Sequence, residues 1–467
     1  MSGRAQRVGW QAAKMAGIAA GIVLSATVCS RVVEAETLQD ALVSAYQSNP
    51  TLLAERAQLR ATDEGVSTAL SGWRPTVQID SDAGFSETET NTKSAGISSV
   101  SEDSLQPRSF SISVTEPLYR GGRTTAEARS ARKLVDAGRA SLMETEQRVL
   151  LDAVRAYMEV LRSQLVLELN RNNEGVVKHQ LQAAQDRFEV GEVTRTDVVQ
   201  TEARLAQAIA KRIGAEGDLI SSRATYRRLM GDLPGTLVWP APLGDLPINE
   251  REALDRANSF NPAILSADFV ELSAKEDVDV ALSDLLPKVS LRGTYDRKYD
   301  VSSITEEFES LSLTALVSVP LYQSGVEHSA VRRSKQIAGQ RRLEYLEVRR
   351  EILEEVTRAW EALLTSRAKI AAFEAQVRAS ELALEGVEKE RMVGLRTTLD
   401  VLDAEQEVFA SRVNLVGAER DEVFSGYWLL ATTGQLTAKA LGLSVEHYDA
   451  GAHYRDVTDK WLGIGAE

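Results

Sequence analysis

The sequence predicts an internally duplicated α+β membrane protein. Four membrane-spanning β-strands per chain would help to close a barrel shared between chains, beneath long antiparallel coiled-coil helices. Three observations predict this. One residue pattern is written twice, each copy holds two short alternating segments, and very long proline-free stretches frame those segments. Ala41, Leu42, Ala45, Asn49, Pro50 and Glu64 return as Ala253, Leu254, Ala257, Asn261, Pro262 and Glu276. Pro117-Leu118-Tyr119-Arg120-Gly121-Gly122 returns as Pro320-Leu321-Tyr322-Gln323-Ser324-Gly325. Gly191-x-x-Thr194-x-x-Asp197-Val198 returns as Gly394-x-x-Thr397-x-x-Asp400-Val401. Such a period is far too long for a solenoid, so one structural unit has been duplicated. Four strands cannot close a barrel alone, and their open edges require partners.

The chain opens with Arg4, Arg7 and Lys14, followed by a small and apolar stretch from Ala16 to Cys29 and then Val33-Glu34-Ala35. This pattern reads as an export signal over residues 1–35, with Glu36 as the new N-terminus. The apolar stretch is shorter than the roughly 20 residues a membrane-crossing helix needs. Val28 fits poorly before a lipid-bearing cysteine. Loss of Arg4, Arg7, Lys14, Arg31 and Glu34 would take the net charge from −14 to about −17, which argues against nucleic acid as a partner. The single cysteine, Cys29, would leave with the signal, so neither disulfides nor thiol chemistry remain. After the signal, no apolar stretch is long enough to span a bilayer as a helix, so any spanning must be done by strands.

From Thr37 to about Ser71 the pattern is helical, interrupted only at Asn49-Pro50. After Trp73-Arg74-Pro75 it alternates: Val77, Ile79, Ala83 and Phe85 point one way, Gln78, Asp80, Asp82 and Ser86 the other. Residues 87–107, rich in Ser, Thr and Glu, read as an exposed loop. Phe110, Ile112 and Val114 resume the alternation, and Pro117 should end that ladder for want of an N–H. In the second copy Val289, Leu291, Gly293 and Tyr295 alternate with polar neighbours, as do Leu311, Leu313, Ala315, Val317 and Val319. Each run approaches the length of a tilted transmembrane strand, about ten residues. Phe85, Phe110, Tyr119, Tyr295, Tyr299, Phe308 and Tyr322 read as aromatics near the strand ends, as in an interfacial girdle. A soluble sheet with one buried face gives the same alternation, but four isolated strands make a poor soluble core.

Neither Gly122–Val190 nor Val326–Val393 contains proline, and each could form roughly 100 Å of helix. Return helices follow from about Thr194 to Met230 and from Thr397 to Thr433. Leu150, Val154, Tyr157, Leu161 and Leu165 fit a coiled-coil seam, although an ordinary helical bundle has the same periodicity. Gly214-Ala215 and Gly417-Ala418 recur as small residues that would permit close helix approach. The domains are therefore a first repeat over 36–250, a second over 251–436, and a polar tail over 437–467 that has no counterpart in the first copy.

No catalytic residue, metal site or cofactor emerges. His179, His328, His447 and His453 lack metal-ligand spacing, and no phosphate-binding loop follows Gly121-Gly122. An enzyme is not expected. The informative residues lie where the long helices reverse. Val190-Gly191 and Val393-Gly394-Leu395 put glycine at a helix stop, while Thr194 and Thr397 stand in N-cap position before Asp197 and Asp400. Capping accounts for Thr194, Thr397, Asp197 and Asp400. It does not account for Asp403, whose counterpart is Gln200. Asp400 and Asp403 share a helical face. They are either a solvated acidic face or, repeated about an oligomer axis, a pair of carboxylate rings that would favour cations at a constriction.

With these residues in hand, the chain resembles the TolC family of outer-membrane efflux proteins from about residue 37 to 436. The two Pro-Leu-Tyr runs and Val393-Gly394-Leu395-Arg396-Thr397-Thr398-Leu399-Asp400-Val401-Leu402-Asp403-Ala404 carry the likeness. Tyr448-Asp449, His453-Tyr454 and Trp461 resemble the alphaproteobacterial-type branch. The resemblance implies a homotrimer with one twelve-stranded barrel in outer-membrane lipid and a helical tunnel in the periplasm. It also implies a periplasmic adaptor (membrane fusion protein) that links the tunnel to an inner-membrane RND or ABC transporter. Asp400 and Asp403 would be the selectivity rings, with Arg396 in the contacts that hold the entrance closed. Val190, Gly191, Val393, Gly394 and Leu395 would face the adaptor. Arg391 stands where some members carry a locking tyrosine, so that role is not carried over. A β-anchored coiled-coil stalk and a helical hydrolase are the rival readings.

Overall fold

The computed structural model describes residues 35–244 and 246–465. Apart from Ala35, the expected export signal lies outside the described residues. The first copy consists of α1 (Leu38–Ser48), α2 (Pro50–Leu70), β1 (Thr76–Ala83), β2 (Ser86–Ser94), β3 (Ile97–Leu105), β4 (Arg108–Arg120), α3 (Arg123–Glu189) and α4 (Arg195–Met230). The second consists of α5 (Glu250–Phe260), α6 (Pro262–Ser283), β5 (Lys288–Ser302), β6 (Thr305–Ser318), α7 (Val326–Met392) and α8 (Thr398–Thr432); α9 (Ala452–Thr458) lies in the tail. No helix among the described residues is long and apolar enough to cross a membrane.

The Asn-Pro pair of each copy has a local cause. Asn49 and Asn261 cap α2 and α6, accepting from Thr51 N–H and Ala263 N–H at 2.9 Å each, and proline at the first helical position loses no bond there. Both asparagines are buried, and their Nδ2 groups donate to Leu229 O at 3.3 Å and Thr432 O at 2.8 Å. Each thus satisfies an orphan carbonyl at the end of the return helix in its own copy.

β1, β4, β5 and β6 form one antiparallel sheet in that order. Its register aligns Val77 with Val114, Gly293 and Leu313, and Ile79 with Ile112, Tyr295 and Leu311. The alternating apolar residues therefore share one continuous face across all four strands. Val77, Ile79, Leu311, Leu313 and Val317 are exposed on the two edge strands.

Three expectations need correction. Residues 86–105 are a two-stranded hairpin, β2 with β3, rather than a loop. Ala95 and Gly96, with φ of 51° and 86°, supply the left-handed pair that a tight hairpin turn requires. Its strands are mostly polar, and Ile97, Val100 and Leu105 do not keep a two-residue spacing, so no hydrophobic alternation marked them. Second, Pro117 does not end β4; it stands opposite Ser290, and a register shift before Tyr119 carries the ladder past it. Third, Tyr295 lies in mid-strand, between Ile112 and Leu311, rather than near a strand end.

α3 and α7 contain 67 residues each, about 100 Å of helix. α4 and α8 return beside them with 36 and 35 residues. The seam residues Leu150, Val154, Tyr157 and Leu161 are buried, whereas Leu165 is half-buried and Leu167 takes over the interior position. Of the recurring Gly-Ala pairs, Ala215 and Ala418 are buried, while Gly214 and Gly417 face open space.

The main core lies midway along α3, where α1, α4 and the tail converge: Leu42, Met158, Tyr226, Leu436 and Leu443 belong to it. Tyr157 is fully buried there, and its hydroxyl donates to Val238 O at 2.6 Å. It also lies 2.9 Å from Glu36 O and accepts from Val238 N–H at 3.1 Å. Burial pushes its pKa up to about 12. The tail packs against the first copy: Ala438 N–H donates to Glu146 at 2.7 Å, and His453 Nδ1 lies 3.3 Å from the buried Asp63.

Candidate functional site at the hairpin tips

Both hairpins turn in the same way. Gly191 N–H donates to Phe188 O at 3.0 Å and Glu192 N–H to Arg187 O at 2.8 Å; Gly394 N–H and Leu395 N–H repeat this with Arg391 O at 3.0 Å and Glu390 O at 2.9 Å. These are Schellman-type closures, and they need a left-handed residue at the helix stop. Gly191 and Gly394 provide it, with φ of 81° and 79°.

The next residues start the return helices. Thr397 N–H and Oγ1 each donate to Asp400 Oδ2 at 2.8 Å, and Asp400 N–H donates back to Thr397 Oγ1 at 3.3 Å. Thr194 and Asp197 form the same capping box at 2.9, 2.9 and 3.3 Å. The Thr397 backbone and side-chain donors, aided by the charge of Arg396, hold the Asp400 carboxyl below its ordinary pKa. Asp400 is therefore an anion with one oxygen already committed to its cap.

Asp403 is held differently. Its Oδ1 lies 2.7 Å from Arg204 Nη2 on α4, so it ties the second hairpin to the first. Arg396 turns back within its own hairpin to Glu390 at 2.8 Å, matching Arg187 with Glu192 at 3.0 Å in the other tip. Among the described residues Arg396 thus braces its own turn and pairs with no residue of the other hairpin. Val190, Met392, Val393 and Leu395 are more than two-thirds exposed, which leaves an apolar cap on an otherwise charged helix end.

Arg204 and Glu405 did not stand out in the sequence. The sequence carries a signal for Arg204, whose repeat counterpart is Glu407, but none for Glu405, whose counterpart Glu202 is the same residue type. Arg204 is opposite in charge to its counterpart. Glu405 is buried where Glu202 is exposed, and it accepts from Gln180 Nε2 of α3 at 3.1 Å. Burial, with Glu388 nearby, raises the Glu405 pKa.

Comparison with known proteins gives a consistent picture. The family model described as "Outer membrane efflux protein" matches residues 41–232 and 253–424, one segment in each copy. The chain is 34% identical over 449 residues to the outer membrane efflux protein BepC of Brucella suis, covering 96% of each. It is 29% identical to the outer membrane protein TolC of Vibrio cholerae, over 87% of this chain and 93% of that one. It is 27% identical to the alkaline protease secretion protein AprF of Pseudomonas aeruginosa, over 59% of each. The fold matches the crystal structure of the Campylobacter jejuni CmeC outer membrane channel with a TM-score of 0.76 at 15% identity, over 90% of this chain and 89% of that one. The chain belongs to the outer membrane efflux protein family.

Proposed function

We propose that three copies of this chain form a channel-tunnel, the exit duct of a tripartite efflux pump or type I secretion system. The observation that carries this reading is a four-stranded sheet with two open edges, joined to hairpins about 100 Å long. Unpaired edges demand neighbours, and exposed apolar residues on β1 and β6 suit an intermolecular sheet in outer-membrane lipid. Three such sheets give a twelve-stranded barrel. The copies spanning 36–250 and 251–436 each contribute one strand pair and one hairpin, and the 437–467 tail braces the middle.

Family membership and the likeness to BepC and AprF support traffic of exported molecules through the duct. The protein itself does no chemistry and binds no cofactor in this reading. At the periplasmic end, Asp400 and Asp403 would recur around the axis as carboxylate rings that favour cations. Val190, Gly191, Thr194, Asp197, Val393, Gly394, Leu395 and Thr397 build the two tips on which a periplasmic adaptor would dock, linking the duct to an RND or ABC transporter. Docking opens the entrance only if the adaptor binds the open arrangement more tightly than the closed one. Planar-bilayer recordings of purified protein test this. Small cation-selective currents, with weaker selectivity in Asp400→Ala/Asp403→Ala, are expected. A folded, membrane-inserted oligomer without channel activity would turn the reading toward an anchored stalk.

A further inference from the structure

A cavity of about 330 Å³ opens between α3, α7 and α8, above the tips and apart from the Asp400 and Asp403 carboxylates. Its apolar wall includes Val176 of α3, Leu384 of α7 and Phe409 of α8. Its charge is lopsided. Glu381, Glu385, Glu388 and Glu405 line it with Arg412 as the basic lining residue, and Arg391 lies close enough to Glu405 to favour its charged form. Arg412 is taken by Glu381 at 2.6 Å, and Glu385 by Lys389 at 2.5 Å. Glu388 has no ion-pair partner among the described residues. Glu405 is 9% exposed, and its Oε2 is buried without any hydrogen-bond partner, while Gln180 satisfies only Oε1. A buried carboxylate oxygen left unmatched is costly, and a cation beside it would remove that cost.

We infer that this cavity binds a small organic cation with an apolar body, such as an arylalkylammonium. The ammonium would sit on Glu405 and Glu388, and the body would lie against Phe409 and Leu384. The volume falls at the small end of ligand cavities, roughly 300–1,000 Å³. Aromatic and aliphatic walls suit an organic ammonium better than Mg²⁺, which keeps its waters and prefers an all-oxygen shell. Phe409 already accepts one ammonium, Lys211 Nζ lying 5.4 Å from its ring centroid. Because α3 belongs to the first hairpin and α7 and α8 to the second, the occupant would bridge the two. If the hairpins part on opening, a consequence that rests on the gate reading above, the bound cation holds the entrance closed.

Isothermal titration of phenethylammonium into the detergent-solubilised full-length protein, scored per chain, tests binding independently of channel opening or oligomeric state. Saturable binding at one site per chain is expected, weakened about tenfold or more by Glu405→Gln, with Glu388→Gln weakening it less. The uncharged 2-phenylethanol should not compete, and Mg²⁺ should not displace the ligand. Asp400→Asn, which leaves the Arg204–Asp403 pair intact, should bind normally. No saturable heat, equal affinity in Glu405→Gln, or loss of binding in Asp400→Asn would each overturn the assignment. Glu405→Gln keeps an acceptor for Gln180, so a folded Glu405→Gln protein with intact affinity is decisive. Binding without inhibition of current would leave the site standing and remove the closure mechanism.

Discussion

Arg204 of α4 and Asp403 of α8 form a 2.7 Å ion pair that ties the hairpin of the first copy to the hairpin of the second. The repeated sequence pattern alone does not account for it. The repeat counterparts of the two residues are Glu407 and Gln200, so these positions cannot form the reciprocal ion pair.

Arg204→Ala should loosen the hairpin contact. The pair is partly exposed, so its loss costs about 0.2–1 kcal/mol and shifts any closed-to-open ratio by no more than about fivefold. More frequent openings in single-channel recordings would show this. Combined with Asp403→Ala, the effects should be less than additive; full additivity would mean the pair carries no coupling.

Charge and cap can be separated at the second tip. Thr397→Ala removes a helix cap, at a cost of about 0.5–2 kcal/mol, but keeps both carboxylates. It should speed hydrogen exchange in the first turn of α8 and leave ion selectivity nearly unchanged. Asp403→Asn should reduce cation preference without altering that exchange. Selectivity lost equally in both variants would point to tip geometry rather than charge.

Gly394 has a φ of 79°, and a Cβ there would meet no neighbour. The penalty for replacement is therefore purely conformational, roughly 1–2 kcal/mol for an ordinary residue and less for asparagine. Gly394→Val should abolish efflux while trimers remain in the membrane, and Gly394→Asn should retain much of it. Drug-susceptibility assays beside a trimer gel read both. Normal resistance in Gly394→Val removes this residue from the docking surface.

Glu146 accepts from Ala438 N–H of the tail, and burial raises its pKa. The folded protein thus favours the protonated acid. This contribution is complete below the ordinary carboxylate pKa and is lost as pH rises through the raised folded value. Glu146→Gln keeps an acceptor for Ala438. Its melting temperature should exceed that of the parent at neutral pH and match it near about pH 4. The same increment at both pH values would exclude titration as the cause.

The sequence by itself determined whatever depends on neighbours along the chain. Gly191, Thr194 and Asp197, with Gly394, Thr397 and Asp400, specify stop, cap and first turn within a few residues, so both reversals were legible. Proline-free stretches fixed the 67-residue helices, and two-residue alternation fixed the face that Val77, Val114 and Leu313 share. Alternation failed at residues 86–105, where Ile97, Val100 and Leu105 stand among polar residues without a two-residue period. Only the tertiary structure decided which helices become neighbours. It gave Asp403 to Arg204, turned Arg396 back onto Glu390, buried Glu405 beside Gln180 and laid the tail along α2 and α3. Those choices depend on how about 100 Å of paired helix is rotated and staggered. Many side chains set that geometry together, and no local motif encodes it.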